Sequence, residues 1–464
     1  MRESMARVGG FEARRVVGSV TGLRGLTVRA CDLPAPLGAL VRIGSDLDAE
    51  VIGFEARQAI LLPLSSPTGV RAGDRVTLID PTPCIGVGDR LKGRVIDGLG
   101  RAIDGGGAVR GLSWRPIRPE PISAMSRKPI DTMMRTGVRA IDLMTTMGLG
   151  QRMGVFAGPG VGKSTLLGMI ARRSAADVNV IAMIGERGRE VREFIEDALG
   201  EQGRARSVVV VSTSDESPVM RVRAAMAACT IAEHFRDQGL NVMFMLDSVT
   251  RFAHAQRQIG LASGEPPATK GYTPSVFAQL PILLERAGAT EDRPGAKGGT
   301  ITGIYTVLVE GDDLTEPISD AVRGILDGHL VLSRRLAQRG HFPAVDVLDS
   351  VSRVSTRVAP EDLLGPRTAA MRLLASYQDV EELLQIGAYA RGSNPETDAA
   401  IDAKPRLDSV LRQGVGEGEP FEVSKARLAT ITEEAMASMR NGGRDAVAGR
   451  TARGPASPKQ GGRK

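Results

Sequence analysis

Nine residues, Ala157-Gly-Pro-Gly-Val-Gly-Lys-Ser-Thr165, constrain this chain more than any other stretch. They continue the apolar run Met153-Gly-Val-Phe-Ala157 and open a segment, Leu166 to Arg173, with helical character. A strand, a glycine-rich turn and a helix in that order make a phosphate loop. The glycines let backbone N–H groups close round phosphate oxygens where a Cβ would intrude. The helix N-terminus adds partial positive charge. In this reading Gly158, Pro159, Gly160, Val161, Gly162, Lys163, Ser164 and Thr165 bind nucleotide. Lys163 reaches the β and γ phosphates, and the Ser164 hydroxyl completes a Mg²⁺ shell. The first position is Ala157 where the strict pattern has Gly, which fits a residue in extended backbone at a strand end. The bland alternative is a helix-capping turn that binds nothing; Lys163-Ser164 in register after a strand argues against it.

Asp247 closes Met243-Phe-Met-Leu-Asp247, an apolar strand ending in a carboxylate. Alone that is a common strand cap. Beside a phosphate loop it is the Walker B arrangement, in which the carboxylate holds Mg²⁺ through water.

These motifs sit in a larger pattern. From about 130 to 355, strand-length apolar runs alternate with helix-length amphipathic segments. The runs are Met153–Ala157, Asn179–Ile184, Ser207–Ser212, Asn241–Leu246 and Ile304–Val309. Near-continuous apolar strands separated by helices predict a parallel sheet buried on both faces. Before it, Val16–Thr21, Leu40–Ile43, Glu50–Glu55, Ala59–Pro63 and Asp74–Ile79 read as short strands broken by turns, a small barrel or sandwich. Arg115-Pro-Ile-Arg-Pro-Glu-Pro121 is an extended seam. After about 356 the pattern is helical.

The chain has 464 residues, enough for several domains. Hydrophobic residues at 42% and charged residues at 25% fit a globular protein. No run approaches the ~18 apolar residues of a membrane span, and the first residues lack the apolar core of a secretory signal. The three cysteines, Cys31, Cys84 and Cys229, are far apart and odd in number, which argues against a disulfide framework. The four histidines show no metal-binding spacing. The net charge of +6 resides entirely in the tail, where seven basic residues from Arg440 onward face one acid, Asp445. The body is neutral and only 3% aromatic, so neither charge nor stacking marks it as a nucleic-acid binder. The tail is expected to be disordered and solvated.

Three further blocks carry a resemblance: Ile184-Gly-Glu-Arg-Gly-Arg-Glu-Val-Arg-Glu193, Gly264-Glu-Pro-Pro-Ala-Thr-Lys-Gly-Tyr272, and Pro343-Ala-Val-Asp-Val-Leu-Asp-Ser-Val-Ser-Arg353. With the phosphate loop they resemble the hexameric ATPases that include the ATP synthase α and β subunits. Together with Leu326–Arg334 they point within it to the type III protein export ATPases. The resemblance spans about residues 15 to 440. It implies an α/β fold: an N-terminal β-barrel (15–80), a RecA-like P-loop core (81–355) and a C-terminal helical domain (356–440). An N-terminal arm (1–14) and a basic tail (441–464) complete the chain.

The resemblance also implies roles. Glu186 matches the general base that polarises the attacking water. Its bland reading is an ion pair with Arg187 or Arg189. Arg187 and Arg251 match positions near the γ-phosphate, and Glu190 supports its own loop. Arg353 matches an arginine finger that serves the neighbouring subunit's nucleotide; its bland reading is a structural arginine. Phe342 matches an aromatic that packs on adenine, against a bland reading of ordinary core packing. ATP is the implied substrate and Mg²⁺ the implied ion. The implied partners are other copies in a homohexamer, a regulator or stator that binds the N-terminal arm, a stalk protein, the export gate and chaperone–substrate complexes. A peripheral contact at the inner face of the cytoplasmic membrane is implied, and no specific nucleic acid.

Three functions compete: a flagellar or injectisome export ATPase, a rotary ATP synthase or vacuolar-type subunit, and an RNA translocase. The form Gly-Arg-Glu-Val at 188–191 departs from the synthase catalytic subunit, and the stretch after 375 lacks that subunit's acidic segment. The neutral, aromatic-poor body argues against the translocase. Overall resemblance favours the flagellar branch over the injectisome.

Overall fold

A computed structural model of the chain describes residues 16–309, 311 and 315–451. The N-terminal arm and its regulator contact lie outside the described residues. Six strands come first: Val17–Arg24 (β1), Thr27–Cys31 (β2), Leu40–Ile43 (β3), Leu47–Glu55 (β4), Gln58–Pro63 (β5) and Arg75–Asp80 (β6). They close in the order β1-β2-β5-β4-β3-β6, with β6 returning to β1. Closure leaves no strand edge unpaired. Val20, Val28, Val41, Ile43, Val51, Leu61 and Val76 fill the interior. Strand β2 was not expected from the sequence. Thr27-Val-Arg-Ala-Cys31 is short and carries an arginine, and it is recruited by a hairpin with β1 through Gly25, at φ 60°.

The connecting segment holds Cys84–Val87 (β7), Val95–Asp97 (β8), Ser113–Pro116 (β9), Met133–Met134 (β10) and Met147–Gly148 (β11). β7 pairs with β9, and β10 with β11. The core strands are Arg152–Ala157 (β12), Val178–Glu186 (β13), Ser207–Thr213 (β14), Asn241–Asp247 (β15), Thr300–Leu308 (β17), Gly328–Leu332 (β18) and Val345–Ser352 (β19). Gly288–Ala289 (β16) adds an antiparallel pair to β17. The sheet order is β19-β18-β12-β17-β15-β13-β14-β8. All five apolar runs are parallel strands in it. β18 and β8 are also parallel to their neighbours, while the edge strand β19 runs antiparallel to β18.

Both sheet faces are covered, as continuous apolar strands require. One face packs Val222, Ile231, Phe235, Phe252 and Leu280 from the helices Pro218–Arg236, Val249–Ala262 and Pro274–Leu284. The other receives Leu166, Leu167 and Ile170 from the helix Lys163–Arg173. That second core continues into the C-terminal helices Glu361–Gln385, Pro395–Leu411 and Phe421–Thr451 through Leu363, Leu373, Leu407 and Leu428. The C-terminal helices therefore share apolar contacts with the layer that carries the phosphate loop.

The last helix runs on to Thr451, into the stretch expected to be a disordered tail from 441. No proline interrupts it before Pro455, and a formed helix extends at one hydrogen bond per residue fixed. Residues 452–464 lie outside the described residues. Among the described residues no helix is long and apolar enough to cross a membrane.

Candidate active site

The strands β12, β13 and β15 run parallel in one sheet, so their C-terminal ends lie along the same edge. That alignment sets three side chains from distant parts of the sequence around one point. Lys163 opens the helix after β12, Glu186 ends β13 and Asp247 ends β15. The Lys163 ammonium lies 2.5 Å from Asp247 Oδ1 and 3.5 Å from Glu186 Oε1. Asp247 is 2% exposed and also accepts a 2.6 Å hydrogen bond from the Thr306 hydroxyl on β17. The Asp247–Ser248 peptide is cis.

Burial, then the charge of Asp247, pushes the Glu186 carboxyl up to about 7 against the opposing pull of Lys163. Its Oε1 is buried and makes no hydrogen bond among the described residues. Burial lowers the Lys163 pKa, but Asp247 and Glu186 outweigh it and leave the ammonium raised and charged. The site thus holds a fixed cation, a buried carboxylate and a second carboxyl whose charge changes near neutrality.

The phosphate loop turns tightly at Gly160 (φ 75°) and Gly162 (φ 91°), backbone that a side chain rarely adopts. Val161 is 2% exposed and belongs to the core, so it anchors the loop from below. Pro159, Gly160, Ser164 and Thr165 are exposed on the outer side. Phe342 precedes Pro343 across a cis bond. A Cβ on Gly162 would lie 3.6 Å from the Phe342 ring, so the aromatic stands beside the loop, 46% exposed.

Arg251 stands in the first turn of the helix Val249–Ala262, which the Ser248 hydroxyl caps by accepting from the Arg251 N–H at 3.3 Å. Its stem packs against Gly185, where a Cβ would come within 2.8 Å, and its Nε is buried with no hydrogen-bond partner among the described residues. Arg187 is not brought in. It caps the helix Gly188–Glu193, its side chain is 78% exposed, and it pairs with Glu190 at 3.3 Å.

Arg353 is at the other end of the sheet. It follows β19, whose Ser352 pairs with Gly328 at the start of β18. Its N–H donates to the Asp327 carbonyl at 3.0 Å, and Asp327 in turn bonds Arg152, the first residue of β12. Arg152 to Ala157 spans roughly 17 Å at ~3.3 Å per residue. Arg353 therefore faces away from its own phosphate loop.

Two contributors escaped the sequence reading. Thr306 is one of three threonines on β17, and its partner lies on another strand, so nothing local marks it. Gly185, at φ 73°, admits the Arg251 stem, and a glycine before the acid was its only mark.

Fold and cluster define a P-loop nucleoside triphosphatase with a RecA-like core, a barrel before it and helices after it. Comparison with known proteins narrows the class. The nucleotide-binding domain of the ATP synthase alpha/beta family matches residues 137–352, and the T3SS EscN ATPase C-terminal domain matches residues 367–430. The flagellum-specific ATP synthase of Bacillus subtilis (strain 168) is 50% identical over 432 residues, covering 93% of this chain and 97% of that one. The assembled ATPase EscN of the enteropathogenic E. coli type III secretion system has a TM-score of 0.84 at 44% identity, covering 89% of this chain and all of that one. The same ATPase in complex with its central stalk EscO gives 0.82 at 43% identity over the same shares. This chain belongs to the type III protein export ATPases of the ATP synthase alpha/beta family.

Proposed function

We propose that this chain hydrolyses ATP to energise protein export through a type III secretion apparatus, in its flagellar branch, as a homohexameric ring. The observation that carries the reading is the Lys163 ammonium held between Asp247 and Glu186 beside the phosphate loop. Lys163 binds the β and γ phosphates. Glu186, ionised, accepts a proton from the attacking water; its buried Oε1 is ion-paired to Lys163 at 3.5 Å and makes no hydrogen bond among the described residues. Arg251, whose stem packs against Gly185 next to Glu186, is the second cation offered to the γ-phosphate. Phe342 stacks on the base without a hydroxyl to read it, so base selectivity is modest.

The residues present fit Mg²⁺. The Ser164 hydroxyl and the Asp247 carboxylate are hard oxygen donors, and the ion takes its remaining ligands from water and substrate phosphates. When bound, the ion neutralises phosphate charge.

Arg353 is the finger supplied to a neighbouring copy. Its position at the far end of its own sheet supports service in trans. The assembled form of EscN and its complex with a central stalk support self-association and a stalk partner for this chain. The flagellar branch is favoured by the flagellum-specific ATP synthases among the relatives. A regulator or stator, the export gate and chaperone–substrate complexes complete the proposed partners, met at the inner face of the cytoplasmic membrane.

The test is phosphate release from ATP against protein concentration, with and without RNA. A steep rise in specific activity, no RNA effect, and loss of turnover in Lys163→Ala are expected. Unchanged turnover in that variant would sink the site, and stimulation by RNA would move the chain to the nucleic-acid motors.

A further inference from the structure

Phe342 is nearly half exposed, so packing alone does not hold its ring against Gly162. The backbone beneath it does. The Phe342 carbonyl accepts a 2.8 Å hydrogen bond from the N–H of Gln413. Gln413 lies in the loop between the helices Pro395–Leu411 and Phe421–Thr451 and is only 4% exposed. Its amide makes three more bonds. Oε1 accepts from the Arg139 N–H at 2.9 Å, and Nε2 donates to the carbonyls of Gly137 at 2.9 Å and Glu417 at 3.0 Å. Two residues on, the Val415 carbonyl accepts from Arg173 Nη2 at 2.9 Å and Arg172 Nη2 at 3.3 Å. Those arginines end the helix that the phosphate loop begins. One short loop of the C-terminal region thus grips both the residue that carries the ring and the far end of the phosphate-loop helix.

Of the partners of the Gln413 amide, Arg139 is buried and Gly137 half-buried. Removing the Gln413 amide leaves the Arg139 N–H and the Gly137 carbonyl without it, and a buried backbone group is costly to leave unpaired. The loop is therefore a fixed spacer between ring and phosphate loop. We propose that Gln413 is a positioning residue for the base: it holds the Phe342 backbone at the distance from the phosphate loop that a nucleoside and its triphosphate require together. This rests on the reading of Phe342 as the residue that stacks on the base.

The experiment compares ATP with tripolyphosphate, which has the phosphates and no base. Steady-state ATP hydrolysis gives KM and kcat, and tripolyphosphate is measured as a competitive inhibitor. Gln413→Ala is expected to raise KM for ATP about five- to tenfold, the scale of one hydrogen bond. kcat should stay within about twofold, and the inhibition constant of tripolyphosphate should not move. Phe342→Ala should raise KM for ATP similarly, and Gln413→Ala added to it should cost nothing further. Should Gln413→Ala not fold, Gln413→Asn enters the same comparison, with a smaller rise for ATP alone.

An equal weakening of tripolyphosphate, or full additivity with Phe342→Ala, overturns the proposal, because Gln413 would then serve the phosphate loop itself. A silent Gln413→Ala beside an effective Phe342→Ala overturns it alone. A silent Phe342→Ala removes the stacking reading and this proposal with it.

Discussion

At the scale of single residues, Glu186 carries the sharpest consequence. A carboxyl whose pKa stands at about 7 is ionised only above that pH, and a general base acts only when ionised. In the free enzyme kcat/KM for ATP is therefore expected to fall on the acid side of about pH 7, by roughly tenfold per unit below it. Glu186→Gln should lower kcat by ~10²–10⁴ and abolish that limb in what remains. An acid limb near the ordinary carboxylate range, or a limb that survives the substitution, would mean that another group titrates. The site was legible in the sequence in unequal parts. Lys163 and Asp247 were legible because each sits in a local pattern, a loop before a helix and an acid after an apolar strand. Glu186 needed the family resemblance, since an acid flanked by Arg187 and Arg189 reads as easily as a surface ion pair. The structure separates them: Arg187 turns out to Glu190, and Glu186 turns in to Lys163. The Thr306–Asp247 bond joins residues 59 apart on neighbouring strands, and no local pattern announces such a pair.

At the scale of elements, the helix that opens at Lys163 is held where it is by a close approach. A Cβ on Gly168 would lie 2.4 Å from the Ala198 carbonyl oxygen, backbone that cannot swing aside. Helix propensity alone would favour Gly168→Ala by ~1 kcal/mol. Overpacking against that carbonyl costs ~1–3 kcal/mol, so the net sign should be destabilising, seen as a lower urea midpoint. A higher midpoint would show that the helix yields and that its position is not set there. The same contrast between local pattern and tertiary contact explains what was legible of the fold. The five parallel core strands were evident because each is apolar on both faces. The edge strands were not. β19 shows the mixed burial of a strand with one partner, and β8 is only three residues long in a turn-rich stretch. Their strand form comes from the sheet they join.

At the scale of the whole molecule, the placement of Arg353 decides what one chain can do alone. Its guanidinium would have to cross more than the length of β12 to serve its own phosphate loop, and an arginine side chain is too short. Among the described residues its guanidinium makes only an exposed 3.3 Å bond to the Arg323 carbonyl, so it is available to another copy. An arginine finger accelerates phosphoryl transfer by ~10³–10⁵ in comparable systems, so an isolated chain should turn over slowly and an assembled one fast. Arg353→Ala should leave nucleotide binding and assembly intact, because it touches neither the phosphate loop nor the core, yet remove most hydrolysis. The decisive measurement mixes it with Glu186→Gln. Each variant ring alone lacks one group at every site. In a mixed ring, a Glu186 from the Arg353→Ala chain can meet an Arg353 from its Glu186→Gln neighbour, so some sites are whole. With random mixing at equal amounts about a quarter of the interfaces pair that way, and activity should rise well above either variant. Mixing under conditions that let subunits exchange, with size monitored, separates the two ways to fail. If exchange occurs and activity stays at the level of the single variants, Arg353 does not act across the interface. The transition-state charge would then have to come from within the chain that binds the nucleotide.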